Sequence, residues 1–507
     1  MKSRRFALVK RARYGCACEM TQTRGTATHP MFGDRAMAAL VTFVAALIYV
    51  GLGQTTLHHN DGHRILELLQ TGEMDFGRHH LSVPVMHAFH RWIGEPLGML
   101  PHRSVTMLNG INSALAVGLV FLSSRVAQLT RRQALVAATL FGGCFPVLFF
   151  ATLVEFHGVF LPSVTFAFWL ACVWMRRGGY RWALAMGAVA GIATQLHSMG
   201  IFASGLFSLC HWAARPDRAV WRKLTESLAA VAAHAALFIA GTALWQSLGW
   251  SVGSALDALD ALPRGMELVK ALAELMPKTA WREFLLPFTP LSLITLWALT
   301  KRPGRAAAAA LLLGSLPYIA LSALILGVSE HGAYLATLTA PMALLAARML
   351  PLRTLTLIAL GTLAFNAAFA WRHDSEGERY KSFIAGLKQV GGEDRCLLLY
   401  CEDPVPGPDT FVDELAAVRV FAPTTASIRL EEFAAAPKSQ VQGQVEAMTK
   451  AMPSIYLGVR LLMGEASREC LRDDYQSGPL MLTALEQVYR FVPRKRLGFE
   501  GFELIAR

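Results

Sequence analysis

The sequence predicts an all-α polytopic membrane domain of about 11 transmembrane helices, followed by a small C-terminal extracytoplasmic α/β domain. Three observations carry this expectation. Of 507 residues, 54% are hydrophobic and only 17% are charged, with a mean hydropathy of +0.38, too apolar for an ordinary soluble multidomain chain. The apolar residues gather into runs close to the roughly 20 that a bilayer crossing needs. After Trp371 the texture changes to mixed polar sequence with short strand-like runs. The formal charge of +12 comes from short basic clusters between apolar runs, which argues for membrane topology and against nucleic-acid binding.

Residues 1–35 form a basic leader with Lys2, Arg4, Arg5, Lys10, Arg11, Arg13, Arg24 and Arg35. The apolar run behind it lacks a small-residue cleavage pattern, so an uncleaved first helix with a cytoplasmic N-terminus is expected. The membrane domain is assigned to residues 36–371, with spans at Ala36–Gln54, Val105–Ser123, Ala134–Leu153 and Val159–Trp174. A split pair follows, Trp182–Thr194 and Ile201–Ala213, interrupted by Gln195, His197, Ser198 and Gly200. The remaining spans are Leu228–Leu248, Phe284–Leu299, Ala306–Leu326, Ala333–Ala347 and Leu355–Trp371. Basic residues mark alternate connections, while the short turns at Glu155, His197 and Glu330 hold none. The positive-inside rule therefore puts those turns, the first loop (55–104) and the tail (372–507) on one extracytoplasmic side.

In the tail, Cys396–Tyr400 and Arg419–Phe421 read as strands, Leu430–Ala435 and Gln442–Ala451 as helices, and Val488–Val492 with Phe502–Ile505 as a hairpin. Cys396 or Cys401 pairing with Cys470, or three isolated thiols, are equally compatible readings. No cysteine pair has CxxC spacing.

The chemistry concentrates in the first loop, where 8 of the 15 histidines lie between His58 and His102. A short helix over Gly62–Gln70, with Asn60 or Asp61 capping its start and Gly72 beyond its end, gives Asp61 a fixed place as a general base beside the membrane. The bland alternative is that Asp61 is only a cap. Ser82 and Pro84 open a second interfacial helix, next to Arg78, His79 and His80, which can converge on an anion. His59 with His63, and His87 with His90, have spacings that leave a divalent metal open, although no HExxH motif is present. Glu155, His157, His197, Glu330 and His331 complete a ring of polar turns on the same side, where ionisable residues near a membrane mark a site. Tyr334 lies one turn beyond Glu330. Asn109, Asn112 and His234, inside spans, are read as helix-to-helix bonds.

The layout and the segments HHNDGHRILELL, RHHLSVPVMHAF, TLVEFHGVFLPSVTFAFWLA and GIATQLHSMGIF resemble the GT-C superfamily of membrane glycosyltransferases, in particular its family 39, mannosyltransferase-like group. The resemblance implies a polyprenyl-phosphate sugar donor and an extracytoplasmic lipid, glycan or protein acceptor. By the same resemblance Asp61 is the base, with Glu155 and His157 orienting acceptor or base. It also implies that Arg64, Arg78, His79 and His80 bind the leaving phosphate, while His197, Glu330 and His331, from the ring of polar turns, are read as further substrate-binding residues. A bacterial inner membrane is the implied location. The competing expectation is a transporter or flippase of a lipid-linked or anionic substrate, because broken helix pairs also build transporter sites.

Overall fold

The computed structural model describes residues 32–54, 61–72, 74, 79–249, 266–325 and 332–376, and the strands of the tail. The first helix, α1 (Phe32–Gly51), is followed by α2 (Asp61–Thr71) and α3 (Ser82–Phe89), the latter continuing through a π turn, His90–Gly94. Next come α4 (Pro101–Val126), α5 (Arg131–Gly143), α6 (Phe145–Ala151), α7 (His157–Arg177) and α8 (Tyr180–Leu196). A 3-10 turn, Ser198–Phe202, leads into α9 (Ala203–Ala214), then α10 (Val220–Ser247) and α11 (Met266–Thr279). A π turn, Ala280–Leu285, precedes α12 (Leu291–Leu299) and α13 (Arg302–Ile325); a 3-10 turn, Ala333–Leu338, opens α14 (Thr339–Met349), and α15 (Leu352–Glu376) ends the bundle.

Among the described residues, six helices are long and apolar enough to cross a membrane, or seven when α5 and α6 count as one bent span. The protein is an integral multi-pass membrane protein. The expected eleven crossings differ from this number because four of them, α8, α9, α12 and the Ala333–Met349 segment, are shorter than a full span. The single crossing expected over Ala134–Leu153 is in fact broken by 63° between Gly143 and Phe145. Pro146 sits in the first turn of α6, where it cannot donate into a continuing helix.

The bundle is tied at one end by charge. Asp34 at the start of α1 accepts from Arg125 Nε at 3.1 Å and from Arg131 Nε at 2.7 Å, joining α1, α4 and α5. Thr130 caps α5 through a reciprocal box with Gln133. Glu226, fully buried on α10, accepts from Trp174 Nε1 at 2.7 Å, Arg218 Nη1 at 2.9 Å and Arg222 Nε at 3.2 Å. Between the ends, α8 lies directly on α10 because Gly187 and Gly191 face the carbonyls of Ala230 and His234, where no Cβ fits. His234, as expected of a span histidine, bonds Thr194 and Ser204 of the neighbouring helices at 2.9 and 3.0 Å. Helix α7 spans its 21 residues, about 30 Å at 1.5 Å per residue, from His157 at one end to Arg176 and Arg177 at the other.

The tail strands β1 (Cys396–Tyr400), β2 (Ala426–Arg429), β3 (Ser454–Gly458), β4 (Tyr489–Arg496) and β5 (Phe499–Ala506) make one mixed sheet, ordered β2-β1-β3-β5-β4. The apolar run CLLLY lies between two parallel neighbours, β2 and β3. The expected closing hairpin is present and longer, pairing Phe491 with Leu504 and running to Arg496 with Phe499. The expected strand Arg419–Phe421, the helices Leu430–Ala435 and Gln442–Ala451, and Cys401 and Cys470 lie outside the described residues.

Candidate functional site

The site forms at the end of α7 that bears His157. Between α6 and α7 the chain turns through Thr152–Phe156, and this turn is held from below by Asn109 of α4. Its Nδ2 donates to Leu153 O at 2.7 Å and to Glu155 O at 2.8 Å. Gly158 makes room for Asn109, since a Cβ there would overlap the amide. The turn therefore presents Glu155 and His157, both buried, from a fixed backbone.

Glu155 Oε2 accepts the backbone N–H of Phe156 at 2.7 Å and stands 3.4 Å from His157 Nδ1. The second contact is within ion-pair reach, but its alignment falls short of a hydrogen bond. Both ring nitrogens of His157 are thus buried without a hydrogen-bond partner among the described residues. Burial pushes the Glu155 carboxyl up to about 7, against the Phe156 N–H, which pulls it down. A carboxyl poised there can take or give a proton at neutral pH.

Three imidazoles meet over this turn. His197, at the break between α8 and the 3-10 turn, has its ring centroid 4.4 Å from that of His157 and 4.4 Å from that of His79. His79 in turn packs against Phe156 at 4.4 Å, and Tyr334 closes the other flank at 5.8 Å from His197 and 6.1 Å from His157. Burial, then the neighbouring His157, hold His197 well below the ordinary imidazole value. Its Nδ1 accepts the Met199 N–H at 3.2 Å, so the proton of the neutral ring sits on Nε2, leaving that atom a donor.

The first loop is clamped onto the same place. Leu81 N donates to Gln195 O at 3.0 Å and Ser82 Oγ to Leu196 O at 2.6 Å, fixing the His79–His80 segment against the end of α8. Ser82 opens the second interfacial helix, as expected, and its hydroxyl is spent on this tertiary bond. Val83 and Met86 of that helix are buried, whereas Trp92 and Ile93 are exposed, as suits an interface. Helix α2 starts at Asp61 and ends before Gly72, whose φ of 77° terminates it. Gly62 lies so close to the turn that a Cβ would come within 2.7 Å of Val154 O. The backbone of Asp61 is thereby set beside the residue that precedes Glu155.

The structure thus gathers Glu155, His157, His197, His79 and Tyr334, with His80 also buried in the clamped segment. Gln195, a neighbour of His197 in sequence, instead locks helices through Phe238 O and Trp245 Nε1. Arg78, Glu330 and His331 lie outside the described residues, as do the side chains of Asp61, His63 and Arg64. Glu283 was not legible as a participant; it receives the Gly332 N–H at 2.8 Å and so anchors the turn that leads to Tyr334. His90 bonds Ser104 at 2.9 Å and does not join His87. Among the described residues no three His, Cys, Asp or Glu side chains are placed to hold a metal ion. The three imidazoles meet ring against ring.

A helical bundle whose broken helices and first loop assemble a buried polar cluster at one end is a fold that this chain shares with solved membrane proteins. ArnT from Cupriavidus metallidurans, in the crystal structure bound to undecaprenyl phosphate, superposes with a TM-score of 0.58 at 11% identity, covering 93% of this chain and 98% of that one. The apo state of the same protein gives 0.59 at 10% identity over the same shares, 93% and 98%. The Archaeoglobus fulgidus oligosaccharyltransferase, solved with zinc and sulfate, gives 0.47 at 13% identity, over 91% of this chain and 72% of that one. No family model matches the sequence, and no curated protein matches it.

Proposed function

We propose that the protein is a GT-C-type glycosyltransferase that moves a sugar from a polyprenyl-phosphate donor to an extracytoplasmic lipid, glycan or protein acceptor. The observation that supports this most is His157, buried with both ring nitrogens unpaired among the described residues, beside a carboxyl poised near neutrality. Orphaned buried polar atoms of this kind are costly unless a ligand completes them. Substrate hydroxyl or phosphate oxygens supply that partner.

In the reaction, the acceptor O–H gives its proton to a carboxylate as the oxygen bonds the anomeric carbon. The bond from that carbon to the phosphate oxygen breaks, and polyprenyl phosphate leaves. We assign the proton to Asp61, at the start of α2, with Glu155 and His157 orienting it and the acceptor. Charge grows on the leaving phosphate, so donors aimed there lower the barrier most. His197 Nε2, His79, His80, Arg64 and Arg78 take that role, and Glu330 and His331 border the acceptor. The apolar spans receive the prenyl chain. The tail, residues 372–507, is assigned to an extracytoplasmic α/β domain that selects the acceptor. The N-terminus is placed in the cytoplasm, and the membrane as a bacterial inner membrane.

The test is a reconstitution of the full chain in liposomes with radiolabelled polyprenyl-phosphate sugars. Label appearing covalently on an acceptor from a membrane extract supports the reading. Label that crosses the bilayer still attached to its lipid would replace it with the transporter reading.

A further inference from the structure

We propose that the end of the bundle opposite Glu155 carries a second site, which binds the phosphate-bearing headgroup of an anionic phospholipid. A cavity of about 210 Å³ opens there between the α4–α5 turn, α7, α9 and α14, lined by Gln128, Cys172, Arg176, Ala214, Leu344 and Arg348. Cys172 and Leu344 are buried and give it an apolar floor, while Arg176, Arg348 and Gln128 are exposed at its rim.

The charges at this end separate into two groups. Among the described residues its acids are taken: Asp34 by Arg125 and Arg131, Asp217 by Arg215, and Glu226 by Arg218 and Arg222. Arg176 and Arg348 meet no carboxylate among the described residues. Each spends a donor on a backbone carbonyl of the turn, Arg348 Nη2 on Ala127 O at 3.0 Å and Arg176 Nη1 on Val126 O at 3.5 Å. Those bonds orient the two guanidinium groups around one cavity and leave most of their five donors free, the arrangement that grips a phosphate.

Gln128 points the same way independently. It is the only non-glycine among the described residues with positive φ, at 67°. Glycine is the usual residue in that conformation because it carries no Cβ. Here the turn keeps an amide side chain at the cavity mouth in a sparsely populated conformation, and such outliers cluster at ligand-binding sites. The cavity lies one span, about 30 Å, from His157, at the depth where lipid headgroups meet the bundle. Basic pockets between helices at that depth select anionic headgroups. A free phosphate anion offers the same chemistry without the acyl chains that the apolar floor suits.

The full chain would be placed in nanodiscs of phosphatidylcholine with phosphatidylglycerol, and retained lipid counted by native mass spectrometry after release into detergent. Wild type is expected to retain phosphatidylglycerol over phosphatidylcholine. The double variant Arg176→Gln with Arg348→Gln should lose that preference by roughly 30-fold, about fivefold per arginine. Ala214→Leu, which fills the cavity and leaves both arginines, should lose it too, and Arg353→Gln, a basic residue outside the cavity, should not. Stabilisation of wild type by inorganic phosphate in detergent, without lipid retention, would overturn the lipid as the occupant. Equal phosphatidylglycerol retention by wild type, the double variant and Ala214→Leu would overturn the site. Should the double variant misfold, Ala214→Leu decides alone.

Discussion

The carboxylate of Glu155 and the imidazole of His157 face each other across 3.4 Å, Oε2 to Nδ1, with both side chains withdrawn from solvent. Two residues apart in sequence, they lie together because the turn between α6 and α7 is pinned by Asn109. The pairing sets how this end of the protein responds to pH, mutation and ligand.

Glu155 makes stability pH-dependent. Its carboxyl titrates at about 7 in the folded chain against an ordinary 4.5, so between those values the folded state holds a proton that the unfolded state has released. Stability therefore falls as pH rises through 4.5 to 7, by on the order of 3 kcal/mol for this group. Glu155→Gln, which keeps the neutral shape, should remove that slope. Denaturation midpoints in detergent at pH 5 and pH 8, wild type against variant, check this about-neutral titration; parallel slopes would exclude it.

Asn109→Ala should orphan the carbonyls of Leu153 and Glu155. Leaving two buried acceptors unpaired costs about 2 kcal/mol or more. It should also loosen the turn, so transfer should fall further than the loss of folded protein explains. Specific activity per folded molecule, set against the midpoint shift, separates the two effects.

Gly62→Ala tests the link between the first loop and the turn. A methyl 2.7 Å from Val154 O must push α2 away, and Asp61 with it. The expected outcome is a fall in transfer of about tenfold or more, as small misplacements of catalytic groups give, with the helical circular-dichroism signal retained. Unaltered transfer would show that the start of α2 need not sit against this turn.

Much of this was legible in the sequence. Apolar runs announced the long helices to within about five residues, except α10, which begins at Val220 and not at Leu228, because burial in lipid leaves little else that a 20-residue apolar run can do. Glu155, His157 and His197 stood out because each interrupts such a run. The bend at Gly143–Phe145 was hidden, although Pro146 was its signal, because the apolar pattern continues across it. Ser82 marked the start of the second interfacial helix, while the acceptor of its hydroxyl, Leu196 O, lies 114 residues away and left no local signal. Glu283 and Glu226 were equally silent, since tertiary partners of a lone carboxylate leave no local pattern.

Glu226 offers the contrasting case, far from the site. Glu226→Ala should strand Arg218 and Arg222 and free the buried Trp174 N–H. A loss of about 3 kcal/mol is expected, at the low end for a buried pair because Arg222 is largely exposed. Specific activity of the folded fraction should stay at the wild-type level, which an activity assay normalised to folded protein checks.

The most direct measurement is transfer of radiolabel from polyprenyl-phosphate sugars to a membrane glycan extract, with purified wild type and Asp61→Asn side by side. Label is expected on the glycan with wild type and near-background transfer with the variant, both proteins being equally folded. Full transfer by Asp61→Asn would contradict the assignment of the base, and no transfer by wild type from any donor would contradict the glycosyltransferase itself.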